Sequence, residues 1–172
     1  MDLPQLASYS IEKYINEGRI PDVPQGLPEY VLKNRSGVFV SIHKNDTSLR
    51  GCIGTIYPQC DSIAEEIMRN AISAATLDDR FSPIVLSEIK DLNFSIDLLG
   101  KPEIVSSISM LDPKKYGIIV STADGRQGVL LPDIEGVNSV HEQIKICLQK
   151  GGILPKEQIT VERFKVERYR QN

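Results

Sequence analysis

The pattern that most constrains the fold is a pair of strand-like runs separated by a four-residue turn. In Gly37–Lys44, apolar side chains at every second position alternate with polar or aromatic ones, which is the period of a strand with one buried face. Asn45–Ser48 is rich in residues that hydrogen-bond their own backbone in turns. Because parallel strands need a much longer connection, Leu49–Tyr57 is predicted to return beside the first strand as an antiparallel hairpin.

The rest of the chain alternates helical and strand patterns and contains a second hairpin. Helices are predicted at residues 3–17, 29–33, 62–77, 84–90 and 139–150, and strands at 92–98, 117–122, 127–131 and 159–169. Asp124 and Gly125 mark the second hairpin turn, and the apolar phase of the last strand shifts between Val161 and Phe164, which predicts a bulge or break. Tight turns between consecutive strands predict an α+β class: a largely antiparallel β-sheet with flanking helices in a single domain.

Composition narrows the class of protein. A net charge of −3, no Trp and only 6% aromatic residues argue against a nucleic-acid binder, which needs a basic face and stacking side chains. No apolar run approaches the ~18 residues of a membrane span. Three cysteines, and a start at Met1 without a basic, apolar leader, predict reduced thiols in a cytoplasmic protein.

The hairpin turn also predicts which side chains share a face. With Asn45–Ser48 as the loop, His43 lies opposite Arg50 and Ser41 lies opposite Cys52. Two faces result. The core face holds Val38, Val40, Ile42, Leu49 and Ile53, and the other holds Phe39, Ser41, His43, Arg50 and Cys52.

The second strand begins with Leu49-Arg50-Gly51-Cys52-Ile53-Gly54, called the hexapeptide below, and it has two interpretations. In the functional one, Arg50 and backbone N–H groups near Gly51 and Gly54 hold a small anionic or carbonyl-bearing ligand beside Cys52. The cation lowers the thiol pKa, and the glycines let the ligand approach closely. Cys52 and Arg50 are then the candidate catalytic residues.

In the structural interpretation, Cys52 packs as a small hydrophobe and the glycines admit a helix. His43 is the one candidate base on the polar face, which weakens the case for a catalytic thiol. With only His43 and His141, and no Cys-x-x-Cys pair, no metal is predicted. No dinucleotide or phosphate-loop motif is present, so no cofactor is predicted.

The loop Asp78–Pro83 admits two interpretations as well. In the functional one, Asp78 and Asp79 are paired acids or Arg80 faces a phosphate. In the structural one, the loop caps the preceding helix and forms local ion pairs.

The chain resembles the AMMECR-type domain family. The resemblance covers nearly the whole sequence and depends most on the hexapeptide, which is highly specific for that family. Further pieces add order and spacing: Gly37–Val40, Asn70-Ala71, Ala74-Ala75, Asp78–Pro83, Gly128–Pro132 and Lys150–Gly152.

The resemblance implies a two-lobed α+β fold with the hexapeptide strand beside a cleft between the lobes. It implies no established activity, so whether the chain is an enzyme stays open. It also implies Memo-like and radical S-adenosylmethionine proteins as partners in one system. Three hypotheses follow: a small-ligand protein or enzyme with His43, Gly51, Gly54, Asn70 and Arg80 lining the site, a protein–protein adaptor, and, disfavoured by charge, a nucleic-acid binder.

Overall fold

The computed structural model describes residues 1–171, which divide into two compact units. Unit 1 comprises Met1–Leu99 together with residues 167–171, and unit 2 comprises Gly100–Val166. Each unit is built around its own four-stranded antiparallel sheet. The α+β class predicted from the tight turns is confirmed, although the strands form two sheets.

Unit 1 places three helices with a sheet of strand order β2-β1-β3-β8. The helices are α1 (Leu3–Glu17), α2 (Glu29–Lys33) and α3 (Ile63–Thr76); the strands are β1 (Gly37–Lys44), β2 (Leu49–Thr55), β3 (Leu92–Leu99) and β8 (Val166–Arg170). A 3₁₀ helix, Leu86–Asp91, precedes β3. The hexapeptide therefore lies on an edge strand of this sheet.

Local sequence explains where the helices begin and end. Asp2 caps α1 by accepting a hydrogen bond from the Gln5 N–H, and Gly18 ends the helix in a left-handed conformation. Ser62 caps α3 in the same way through the Glu65 N–H. The small, apolar face of α3 packs on β1 and β2. The fully buried side chains of Val38, Val40 and Ile42 show that the helices cover the predicted core face of β1.

The hairpin register differs from the prediction at one point. Ser41 pairs with Cys52 and Ile42 with Gly51, as expected, but a bulge follows and Leu49 lies opposite His43. Arg50 is the extra residue at this irregularity. The predicted pairing of His43 with Arg50 is therefore wrong, and so is the placement of Leu49 on the core face.

Unit 2 contains a smaller sheet of order β4-β7-β5-β6 and one helix. Its elements are β4 (Glu103–Ile104), a 3₁₀ helix (Ile108–Met110), β5 (Gly117–Ser121), β6 (Gln127–Leu130), α4 (Val140–Lys150) and β7 (Thr160–Phe164). The Asp124–Gly125 turn joins β5 to β6 as predicted, with Gly125 at φ 88°. Close packing of α4 on β6 requires Gly128, where a Cβ would lie 1.8 Å from the Cys147 carbonyl oxygen.

The predicted break in the last strand is real and separates two strands. Lys165 lies between β7, which belongs to the sheet of unit 2, and β8, which belongs to the sheet of unit 1. Within residues 1–171, no helix has both the length and the apolar character that a bilayer span requires.

Candidate functional site

Arg50 is buried within unit 1, and all three nitrogens of its guanidinium donate hydrogen bonds. Its guanidinium donates from Nε and Nη2 to the Glu88 carboxylate, at 2.9 and 3.2 Å, and from Nη1 to the Ser82 carbonyl oxygen at 2.8 Å. The residue is 9% exposed. This fork geometry ties β2 to the segment that follows α3. An external anion would have to compete with Glu88 for Arg50.

Gly51 and Gly54 are both explained by packing. A Cβ on Gly51 would lie 2.4 Å from the carbonyl oxygen of Ala74, in the backbone of α3. A Cβ on Gly54 would lie 2.2 Å from Cγ of the Phe39 ring, which crosses it on the other face of the sheet. Helix backbone and aromatic ring thus occupy the space that these glycines free.

Cys52 presents its backbone to the open edge of β2, and the Asp78–Arg80 loop covers that edge. The Cys52 N–H donates to Asp78 Oδ2 at 2.8 Å, and Arg80 Nη2 donates to the Cys52 carbonyl oxygen at 3.5 Å. Arg80 also donates from Nε and Nη2 to the two Asp78 oxygens at 2.9 and 2.7 Å. Two side chains therefore satisfy the groups that a further strand would bond.

Asp78 and Arg80 form the local ion pair that one interpretation of the loop predicted, but their exposures differ sharply. The Asp78 side chain is 4% exposed and that of Arg80 is 54% exposed. Arg80 lies over the Phe81 ring, with its guanidinium carbon 5.4 Å from the ring centroid. Within the described residues, Arg80 Nη1 has no hydrogen-bond partner. Arg80 is thus a cation that Asp78 orients and whose side chain is more than half exposed.

The environment of Cys52 favours the neutral thiol. Burial is the main cause that raises the pKa of Cys52, and it outweighs the hydrogen bond with Ser41 Oγ at 3.3 Å and the nearby Arg80 charge. Arg50, which the sequence suggested as the activating cation, is bonded to Glu88 instead. The structure therefore reverses the pKa shift that the functional interpretation of the hexapeptide assumed.

The pKa of Asp78 is shifted in the opposite direction from that of Cys52. Hydrogen bonds from the Arg80 side chain lower its pKa to about 2 against the effect of burial, and the Cys52 N–H adds to this. The ionised carboxylate is thus the form that holds the loop on β2.

We expect the ion pair between Asp78 and Arg80 to be lost in acid. In the folded protein the pKa of Asp78 lies below its ordinary value. The contribution of the Asp78–Arg80 ion pair to stability is therefore complete above pH 4 and is lost as the pH falls towards 2. Asp78→Asn should lower the free energy of unfolding by about 1–2 kcal/mol at pH 7, since exposure of Arg80 screens the pair. Urea denaturation between pH 7 and 2.5 should show this difference shrinking, with Asp22→Asn as an exposed control. A difference that stays constant would contradict the assignment.

Asn70 lies in a buried polar network behind the hairpin. Its Nδ2 donates to the Val38 carbonyl oxygen at 2.9 Å and to Thr55 Oγ1 at 3.0 Å, and Asn70 is 3% exposed. Glu66, one turn earlier on α3 and fully buried, accepts from Thr55 Oγ1 and from the N–H groups of Gln59 and Cys60. These bonds fix the end of β2 and its following loop to α3.

His43 lies on the face of the sheet opposite the helices, beside Ser41 along β1. Its neighbours in register are Leu49 on β2 and Asn93 on β3. Burial, and then the charge of Arg170, lower its pKa, which keeps the imidazole neutral at pH 7. No hydrogen bond joins His43 to Cys52 within residues 1–171, so the structure supplies no thiol–imidazole pair.

The structure places the site residues predicted from the sequence in three different settings. The structure brings Cys52 and Arg80 together at the edge of β2, with Arg50, Gly51 and Gly54 on the same strand in structural contacts. Asn70 belongs to the Glu66 network, and His43 stands apart. The partners that sequence reasoning missed are Glu88, Glu66 and Asp97, which accepts from Arg168 Nε at 2.6 Å. Glu66 had a usable signal, because it falls four residues before Asn70 on the apolar stripe of α3.

The described residues contain no group of three or more His, Cys, Asp or Glu side chains arranged to hold a metal ion.

The fold and the hexapeptide define an α+β protein of a recognisable class. The family model AMMECR1 matches residues 4–171. The chain belongs to the AMMECR1 family, which the hexapeptide had predicted.

Two relatives differ in how much of their own length matches this chain. A protein of Thermotoga maritima is 48% identical over 162 residues, covering 93% of this chain and 92% of its own length. A protein of Clostridium acetobutylicum is 45% identical over 169 residues, covering 98% of this chain but only 36% of its own length. In the second relative, the matching region is joined to a much longer stretch of other sequence.

A solved structure supports the fold. The crystal structure of the uncharacterised protein PH0010 from Pyrococcus horikoshii matches with a TM-score of 0.88 at 28% identity. The match covers 99% of this chain and 90% of the other.

Proposed function

We propose that this chain binds a small anionic ligand through Arg80 and that the hexapeptide supports this residue without supplying a nucleophile. One observation carries the proposal: Arg80 is held by a carboxylate that is 4% exposed, while its own side chain is 54% exposed. A guanidinium that is already oriented loses little conformational freedom when it binds a carboxylate or phosphate.

Cys52 then serves as part of the support. Its backbone N–H and carbonyl oxygen hold Asp78 and Arg80, and its thiol packs against Ser41 Oγ. A thiol whose pKa is raised has a smaller thiolate fraction at pH 7 than a free cysteine, and the thiolate is the nucleophilic form. This favours binding over thiol chemistry.

Titration with inorganic phosphate and with acetate at low ionic strength tests the proposal. We expect saturable NMR shifts at the Cys52 and Arg80 amides, lost in Arg80→Ala and weakened in Arg80→Lys, which keeps the charge but not the fork. Arg19→Ala is the matched control, because Arg19 is 65% exposed in unit 1 and paired to Glu17. Equal binding by the wild-type protein and Arg80→Ala would refute the role of Arg80.

A second candidate function, a protein–protein adaptor, is favoured by the Clostridium acetobutylicum relative. There the region similar to this chain makes up 36% of a longer protein, so it works in one molecule with a companion region. Partners of the Memo-like and radical S-adenosylmethionine classes belong to this alternative. If it is correct, the companion region produced as a separate chain should bind this protein in size-exclusion chromatography, and Arg80→Ala should still bind it. If no complex forms when both chains are present at about 100 times the lowest concentration at which it could be detected, the adaptor alternative loses this support.

A further inference from the structure

We propose that the outer edge of β6, in unit 2, pairs with β6 of a second copy of this chain in an antiparallel, two-fold dimer. β6 is the last strand of its sheet, in the order β4-β7-β5-β6, so one side of its backbone faces no further strand. The proposal does not involve Arg80 or the hexapeptide, and it goes beyond the anion binding proposed above.

The register between β5 and β6 shows which backbone groups of β6 are unpaired. The Thr122 N–H donates to the Arg126 carbonyl oxygen at 3.0 Å, and the strands keep the same antiparallel register from there onward. In such a pair, every second residue exchanges hydrogen bonds with its partner. Gly128 and Leu130 therefore bond to β5. The N–H and C=O groups of three residues, called the open edge below, point away from β5: Gln127, Val129 and Leu131.

The open edge is accessible. Within residues 1–171, the backbone groups of its three residues have no hydrogen-bond partner. Gln127 is exposed, and Val129 and Leu131 are partly exposed. Unpaired backbone groups are rarely buried away from water. We therefore expect the open edge to be hydrated and available to another strand.

The other sheet edges of the described chain are protected against such pairing. At Cys52, the edge of β2 is covered by Asp78 and Arg80. Three of the five residues of β8 are charged, and β4 is only two residues long. Charge, cover and short length are the usual ways to prevent edge-to-edge pairing. Residues 127–131 have none of them, because they carry no charged side chain and include Val129 and two leucines.

The open edge is complementary to itself, which favours a second copy as the partner. An antiparallel strand related by a two-fold axis at Val129 places Val129 opposite its own copy and Gln127 opposite Leu131. Every N–H of the open edge then meets a C=O of the other chain. Moving the axis by one residue leaves one of the three residues in each chain unpaired. With no charge on the open edge, the two copies do not repel each other.

Amide hydrogen exchange of the whole chain at two concentrations tests both steps of the argument. In dilute protein, the amides of the open edge should exchange rapidly, whereas those of Gly128 and Leu130, bonded to β5, should exchange slowly. At about 1 mM, a concentration that a small interface requires, exchange on the open edge should slow at least about threefold. Gly128 and Leu130 are internal controls and should not change. Exchange on the open edge that is independent of concentration would overturn the proposal.

Val129→Pro should prevent the pairing, because it removes the central N–H of the open edge and no N–H that bonds to β5. In sedimentation equilibrium, the wild-type mass should rise from one chain towards two with concentration, and Val129→Pro should stay at one chain. Val129→Thr, which keeps the N–H and a β-branched side chain, is the matched control and should associate like the wild type, as should Arg80→Ala. A wild type that stays at one chain, or a Val129→Pro protein that associates equally, would overturn the proposal.

Cysteine substitutions test the register without depending on proline. Under mild oxidation Val129→Cys should form a disulfide with its own copy, because directly opposed residues have Cα atoms about 5.5 Å apart. Gln127→Cys should not, since its two copies would lie about 13 Å apart along the strands, but it should crosslink to Leu131→Cys in a mixture. Peptide mass mapping distinguishes these bridges from those of the native cysteines. Gln127→Cys that crosslinks to itself as readily as Val129→Cys would contradict the two-fold pairing.

Discussion

Replacing Gly51 with alanine should lower the free energy of unfolding by about 2–3 kcal/mol, because the new Cβ would meet backbone that cannot rotate away. The atom would lie 2.4 Å from the Ala74 carbonyl oxygen, so α3 would have to move off the sheet. Urea denaturation measures the loss. A Gly51→Ala protein that unfolds like the wild type but no longer binds anions would instead favour the interpretation in which the glycine admits a ligand.

Gly54 is the comparison for Gly51, because a Cβ added at Gly54 would meet a side chain instead of backbone. A Cβ there would lie 2.2 Å from Cγ of Phe39, so Gly54→Ala should also destabilise the protein. In a Phe39→Ala background the same substitution should cost much less, since the ring is gone. This double-mutant cycle gives a coupling energy, which no comparable substitution can supply for Gly51. A coupling near zero would contradict the contact between Gly54 and the Phe39 ring.

Replacing Glu66 with alanine should lower the free energy of unfolding still more, by about 3–5 kcal/mol. The substitution leaves three donors without their acceptor: Thr55 Oγ1 and the N–H groups of Gln59 and Cys60. Glu66→Gln keeps one acceptor oxygen that can serve the two N–H groups, and its expected cost is about 1–2 kcal/mol.

Glu65 is the matched control for this measurement. It is the exposed neighbour on α3 and its carboxylate accepts from Ser62 Oγ at 3.1 Å, so Glu65→Ala should cost at most about 1 kcal/mol. Urea denaturation of the three variants gives the order. If Glu66→Ala lost no more than Glu65→Ala, the buried network would not be what holds the end of β2 to α3.

Much of the fold could be predicted from local sequence. Alternation in Gly37–Lys44 predicted β1 with the bounds observed, and capping residues located α1, α3 and α4. The split of the strands into two sheets could not be predicted, because the sequence shows the break near Lys165 but not which neighbours each half finds. Pairing of β7 with β5, some 40 residues earlier, is decided by tertiary packing.

The candidate site was harder to predict than the fold for a specific reason. Arg50 was assigned to the polar face by counting residues from the turn, and the bulge beside it breaks that count. Its true partner, Glu88, is 38 residues away in sequence. Similarly, the proximity of Arg50 to Cys52 suggested a lowered thiol pKa, but burial, which sequence does not show, raises it.

The most direct test of the structural interpretation of the hexapeptide is the pH dependence of Cys52 alkylation. Iodoacetamide labelling at a series of pH values, quantified peptide by peptide, separates Cys52 from Cys60 and Cys147 without any substitution. The structure predicts slow labelling of Cys52 and a midpoint above the ordinary cysteine value of about 8.5, since burial disfavours the thiolate. Fast labelling with a midpoint below that value would contradict this account and restore Cys52 as a candidate nucleophile.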